Sequence, residues 1–409
     1  VATEPMATVR SVAFGLWFRV GAVCEDERIY GISHFIEHLI FKGTRRLKAN
    51  EIAERFDSLG AEVNAFTGKE YTCYYARLIS DHVAEGFSLF SDMVQAPAFR
   101  KKDIDSERKV ILEEIAMYED SPDEQIHDIF VRTLYAGGSL SNIILGKTET
   151  IRALGRNDIA VYHGQHYTLP NLVVTASGRI DHEQLVSFVE GSFSSRTERK
   201  TEPKLDNASR EQPPASEPRV EVIRKDTQQA HICLGFPIFG AGHPDRFALG
   251  VLDTILGGSM SSRLFVEVRE KRGLAYSVYS YHSYFSRSGY IASYAGTSPN
   301  RAADVISLIF EQFRRLAEER VSDRELAKAR EHLKGHLALS NENTSSRMMR
   351  LGRSILSGEE VLTIDEAIER IDAVTAEDIQ RVARTYFAGR PTISIIGSVS
   401  DRVLGKLPF

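Results

Sequence analysis

Residues 157–178 read NDIAVYHGQHYTLPNLVVTASG, and residues 377–398 read EDIQRVARTYFAGRPTISIIGS. Each opens on an Asp-Ile pair that starts a helical pattern, and each ends in a short apolar strand. Asp158-Ile159 aligns with Asp378-Ile379, and Leu172 to Ala176 aligns with Thr392 to Ile396, at a constant offset of 220 residues. Two further matches fall in the same order. DIDSERKVILEEIA from Asp103 aligns with LAKAREHLKGHLA from Leu326, with Ile111 opposite Leu333 and Ile115 opposite Leu337. GISHFIEHLIFKGT from Gly31 aligns with FALGVLDTILGGS from Phe247, with Gly43 opposite Gly258. Repeated order in two halves marks an internally duplicated domain.

The seam lies in SSRTERKTEPKLDNASREQPPASE, residues 194–217, where Pro203, Pro213 and Pro214 sit among charged and small residues. Such a stretch buries no apolar face and reads as a linker. The expected division is residues 1–200, a linker over 201–218, and residues 219–409. Strand patterns occur at Arg10–Val20, Glu62–Thr67, Thr72–Leu78 and Asn171–Ser177, then at Arg219–Arg224, His231–Pro237, Ile291–Ala295 and Thr392–Ile396. They come in neighbouring groups, which predicts an α+β fold: two homologous α/β-roll domains, each a mostly antiparallel sheet with helices on one face.

Composition narrows the function. With 42% hydrophobic and 26% charged residues in 409, the chain is an ordinary globular protein with room for two domains. Its net charge of −5 gives no basic surplus, so neither nucleic acid nor an anionic membrane is expected as a partner. No segment approaches the roughly 18–20 apolar residues of a membrane span. Residues 1–10, VATEPMATVR, carry no signal-peptide pattern. Cys24, Cys73 and Cys233 are far apart and form no CxxC, which fits a reducing compartment.

The chemistry concentrates in Gly31–Thr44. On a helix of about 100° per residue, His34 and His38 fall about 40° apart, with Glu37 about 60° to one side. Phe35, Ile36, Leu39, Ile40 and Phe41 make the same helix apolar nearly all round, so it is expected to be buried. Two buried imidazoles and a carboxylate are costly without partners. The plain alternative is a pair of core histidines bonded to backbone. A cation removes the cost more completely, and zinc suits two imidazoles plus a carboxylate with one position left open. The third ligand is sought in the helix from about Asp103 to Tyr118, whose inward stripe is Ile104, Ile111, Ile115 and Tyr118. Taking Ile111 as zero, Glu107 lies about 40° and Glu114 about 60° to the same side, while Glu113 lies about 160° away on the solvent face. The wheel selects Glu114 or Glu107 over Glu113.

HFIEH followed by FKGT, then ERKVILEE beginning 69 residues after His38, resembles the inverted-zincin (HxxEH) metallopeptidases. This is the family of pitrilysin, insulin-degrading enzyme and the mitochondrial processing peptidases. The resemblance spans essentially the whole chain and suits a small bacterial-type or β-subunit-like member. It implies one zinc ion per chain held by His34, His38 and Glu114, with Glu37 as general base toward a metal-activated water and Glu107 as helper acid. The implied activity is zinc-dependent endoproteolysis of unfolded or extended peptides, presequences included.

The same resemblance assigns the remaining site. Arg269 and Tyr276 match an Arg/Tyr pair that the opposite lobe contributes, and half-chain members supply it from a second subunit, so a homodimer is implied, with a heterodimer as the other possibility. Asn64, Ala65, Phe66 and Thr67 match the strand that pairs with extended substrate. Glu124 and Asp128 match an acid pair that holds an Arg two residues before the cut, and Phe41 matches an aromatic pocket for the residue after it. Leu249, Leu252 and Asp253 stand opposite His34, Glu37 and His38, so the second half carries no metal site. Family and cysteine usage suggest a cytoplasmic protein, or a matrix one if eukaryotic. Two rival readings are a structural subunit that keeps the fold without catalysis, and a catalytic subunit of an obligate heterodimer.

Overall fold

Strand β2, Ser11–Phe18, explains how the first sheet is built. Val12, Phe14, Leu16 and Phe18 point to one face and are buried in the main core, while Ala13 and Trp17 are equally buried on the other. A strand buried on both faces needs cover on both. The computed structural model describes residues 1–193 and 219–407, and the chain divides into two compact units. The linker expected over 201–218 lies outside the described residues.

The first unit comprises residues 1–117, 142–193 and 340–357. Its sheet contains β1 (Ala2–Pro5), β2, β3 (Glu62–Thr67), β4 (Thr72–Ile79) and β5 (Leu172–Gly178), in the order β1-β5-β2-β4-β3. Only the β1–β5 pairing is parallel. β3 is an edge strand, paired on one side with β4 in a register that sets Asn64 opposite Tyr75 and Thr67 opposite Thr72.

The second unit comprises residues 118–141, 219–339 and 358–407. Its strands are β6 (Val220–Ile223), β7 (Ala230–Phe239), β8 (Ala275–Tyr284), β9 (Ser288–Thr297) and β10 (Thr392–Ile396). Their order, β6-β10-β7-β9-β8, reproduces the first sheet strand for strand, again with one parallel pairing, β6–β10. The structure is therefore α+β, two five-stranded mostly antiparallel sheets of one topology.

Each sheet has helices packed on one face, as expected, and a further helix on the other. In the first unit that helix is Thr344–Ser357, which lies late in the sequence and packs Met348 and Leu356 against Ala13, Trp17 and Cys73. Trp17 Nε1 donates to Thr175 Oγ1 at 2.9 Å, and Thr175 Oγ1 donates to the Met348 carbonyl at 3.2 Å. Gly352 makes the approach possible: a Cβ there would stand 2.2 Å from the Trp17 ring. In the second unit the corresponding helix is Pro122–Leu134, from the first half of the sequence, which covers β7 and β10. A sequence cut at the linker does not anticipate this exchange of helices. No described helix is long and apolar enough to cross a membrane.

Candidate metal centre

The helix Ile32–Ile40 starts from Gly31, whose φ of 90° is left-handed and favours a residue without Cβ. Ile32, Phe35, Ile36, Leu39 and Ile40 anchor it in the core of the first unit. That anchoring turns His34, Glu37 and His38 toward the Lys101–Glu119 helix and strand β3. The Lys101–Glu119 helix is fixed by buried Ile104, Ile111 and Ile115, which leaves Glu114 at the margin of the inward face and Glu113 exposed.

His34 and His38, one turn apart, have ring centroids 4.6 Å apart with planes at 75°. The Nε2 atoms of His34 and His38 lie 3.8 and 3.7 Å from the same oxygen, Glu114 Oε2. All three donor atoms lie within 4.8 Å of one another, and this is the one such group of His, Cys, Asp or Glu among the described residues. His34 is buried, while the Glu114 side chain is 43% exposed, so the cluster is open on its carboxylate side. Burial first, and the neighbouring His38 second, push the His34 pKa down to about 3. A neutral imidazole is the form that ligates a metal. Two imidazole nitrogens and one carboxylate oxygen are the donor set of a three-ligand zinc site with an open position.

Glu107 is 4% exposed and does not join the three donors. It accepts from His38 Nδ1 at 3.3 Å and pairs with Lys42 Nζ at 2.7 Å. That bond puts the His38 proton on Nδ1 and leaves Nε2 free to face Glu114. Glu37 stands apart from the donor triangle, and its Oε2 accepts from Thr67 Oγ1 at 2.5 Å, at the end of β3. Burial is the main cause that raises the Glu37 pKa, and the Glu114 charge adds to it; the Thr67 bonds and His38 act in the opposite direction.

The remaining residues fall as follows. Asn64, Ala65 and Phe66 lie on β3, with Asn64 Oδ1 accepting from the Ala65 N–H at 2.8 Å and Phe66 set edge-on to Trp17 at 5.8 Å. Phe41 caps the Ile32–Ile40 helix and packs 6.3 Å from both Tyr74 and Phe90. Arg269, Tyr276, Glu124 and Asp128 belong to the second unit. There the Arg269 guanidinium lies over the rings of Tyr276 and Phe265, at 4.5 and 4.7 Å, and Tyr276 is 79% exposed. Asp128 accepts from the Tyr118 hydroxyl at 2.9 Å, and Glu124 is exposed. In the second unit's counterpart helix, Arg246–Leu256, Leu249 and Leu252 are core residues. Asp253 instead accepts from His282 Nδ1 at 2.7 Å and from the Ser280 hydroxyl.

The sequence does not reveal the parts played by Lys42 and Glu25, and marks Thr67 as part of the substrate-pairing strand without its bond to Glu37. Lys42, four residues past His38, carried a weak signal as one more turn of helix. Thr67 ends the strand that the resemblance assigns to substrate, and its reach to Glu37 is not encoded in that pattern. Glu25 acts on the helix from a preceding loop and left no periodic trace.

Two family profiles match the chain: insulinase (peptidase family M16) over residues 1–148, and peptidase M16 inactive domain over residues 153–333. All three residues of the donor cluster fall in the first match. An uncharacterized zinc protease of Streptomyces coelicolor is 40% identical over 410 residues, covering 100% of this chain and 89% of that protein. The uncharacterized zinc protease YmxG of Bacillus subtilis is 39% identical over 396 residues, covering 97% of this chain and 95% of its own. Among solved structures, a protease from Helicobacter pylori superposes with a TM-score of 0.88 at 22% identity, over 96% of each chain. A chain of complex III2 from Candida albicans superposes at 0.82 and 21% identity, over 99% of this chain and 96% of that one. At those identities the structural likenesses speak for the fold alone. The full-length sequence identity to named zinc proteases and the two profile matches make this chain a member of peptidase family M16, the insulinase family.

Proposed function

We propose that this chain is a zinc endopeptidase acting on unfolded or extended peptides, presequences among them, with one zinc ion per chain held by His34, His38 and Glu114. The observation that carries the reading is the group of three donors within 4.8 Å, the one such group among the described residues, with the separate carboxylate of Glu37 beside it. When bound, zinc supplies a Lewis acid that polarises the scissile carbonyl and makes water nucleophilic near neutral pH. Glu37 takes the proton of the attacking water and passes it to the leaving amine. Its raised pKa suits it to both halves of that transfer, and Thr67 holds the carboxyl in place. Glu107 acts through His38, keeping its proton on Nδ1.

Substrate is captured as an added strand on the outer edge of β3, along Asn64, Ala65 and Phe66. Main-chain pairing asks for an extended peptide and places little demand on its sequence. Glu124 and Asp128 favour an Arg before the cut, and Phe41 receives the side chain after it. Arg269 and Tyr276 serve the zinc site of a second copy of the chain, so the active species is a homodimer. A purely structural subunit would have no need of the intact donor set, nor of the Thr67–Glu37 bond.

The test is Glu37→Gln, read as peptide cleavage together with zinc content. Zinc retained with the rate down by about 10²–10⁴-fold supports the general base. Wild-type cleavage with zinc bound would sink it.

A further inference from the structure

Metal-ligating histidines almost always hand their second ring nitrogen to an outer partner, which fixes the ring. His38 has such a partner in Glu107. His34 has none among the described residues: its Nδ1 is buried and without a hydrogen-bond partner there. The aim of His34 therefore depends on its backbone, at the third residue of the Ile32–Ile40 helix, in a first turn whose N–H groups have no intrahelical acceptor.

Glu25 supplies that turn with acceptors. The carboxylate is 6% exposed; Oε2 accepts from the Gly31 N–H at 2.7 Å and Oε1 from the Ser33 N–H at 2.9 Å. The Ile32 N–H between them bonds to the Ile29 carbonyl at 3.0 Å, and the Ser33 hydroxyl meets the Tyr162 hydroxyl at 2.9 Å. Glu25 is itself tethered. Buried Asn142 donates from Nδ2 to the carbonyls of Ala22 and Glu25, at 2.9 and 3.1 Å, and Lys69 Nζ donates to the Asn142 carbonyl. A carboxylate at a helix N-terminus also opposes the helix dipole favourably.

We propose that Glu25 is a positioning residue of the metal centre: its buried carboxylate clamps the N–H groups of Gly31 and Ser33 and so aims His34, the ligand whose Nδ1 has no partner among the described residues. This rests on the assignment of zinc to His34, His38 and Glu114. Glu25→Gln keeps the volume but replaces one acceptor by an NH₂ group facing an N–H, so the first turn loses one of its two fixings.

The experiment measures the zinc dissociation constant by chelator competition for wild type, Glu25→Gln and His34→Ala. Phe87→Leu, a core substitution of the same unit, controls for general loss of stability. Glu25→Gln is expected to weaken zinc about 10–100-fold and to shift the visible spectrum of the cobalt-loaded protein. Phe87→Leu should move neither. A Glu25→Gln protein with wild-type zinc affinity and cobalt spectrum overturns the proposal. Should that variant fold poorly, Asn142→Ala, which frees the loop carrying the carboxylate, is read the same way, and wild-type affinity there overturns it equally. A wild-type chain that binds no zinc, or a His34→Ala chain that binds it undiminished, brings down the ligand assignment and this inference with it.

Discussion

Lys42 Nζ lies 2.7 Å from Glu107 Oε1, on the carboxylate whose other oxygen takes the Nδ1 proton of His38 at 3.3 Å. A buried carboxylate needs a counter-charge, and Lys42 is the one in contact with it. The three side chains form a line from a cation to an imidazole of the donor cluster. Lys42→Met should leave Glu107 uncompensated and loosen the orientation of His38. We expect zinc affinity to fall about 10–100-fold, as outer-partner losses do, measured by chelator competition. Glu107→Gln should weaken zinc in the same direction.

Packing on the back of the first sheet gives a stability prediction independent of the metal. Gly352 has no room for a Cβ, since one would meet three Trp17 ring atoms between 2.2 and 2.6 Å away. Gly352→Ala must push the Thr344–Ser357 helix off the sheet. The expected cost is about 1–3 kcal/mol, seen as a lower urea midpoint. Thr175→Val, which removes the acceptor of the Trp17 Nε1–H, should cost about 1–3 kcal/mol.

The shared-site assignment predicts complementation. Glu37→Gln and Arg269→Ala homodimers should each be nearly inactive. In a mixed dimer, the chain with an intact Glu37 faces a partner with an intact Arg269. Half the dimers in an equal mixture are mixed and each has one whole site, so about a quarter of the wild-type rate should return. A mixture that exchanges subunits yet stays inactive removes the trans assignment.

Much of this was legible in sequence where a residue's role follows from its own periodicity. Thr392–Ile396 and Glu62–Thr67 were read with the bounds they have, because each is a short apolar or alternating run between clear turns. The wheel placed Glu113 in solvent and Glu114 on the inner margin, and the donor cluster selects Glu114. β8 escaped because AYSVYSYHSY alternates tyrosine with serine and histidine, a weak apolar signal. The helix exchange escaped for a different reason. Pro122–Leu134 and Thr344–Ser357 are amphipathic and would suit a local sheet as well as a distant one, so their pattern names a face but not the sheet it covers. Glu25 and Thr67 act across loops, by bonds that no local spacing encodes.

Whether His34, His38 and Glu114 hold the metal is decided by zinc titration of three proteins: wild type, Glu113→Ala and Glu114→Ala. Neighbours in sequence, the two glutamates differ in which face of the helix they occupy. About one zinc per chain is expected for wild type and Glu113→Ala with matching affinity, and loss of tight binding for Glu114→Ala. Zinc held by Glu114→Ala as tightly as by wild type, or lost on Glu113→Ala, would contradict it.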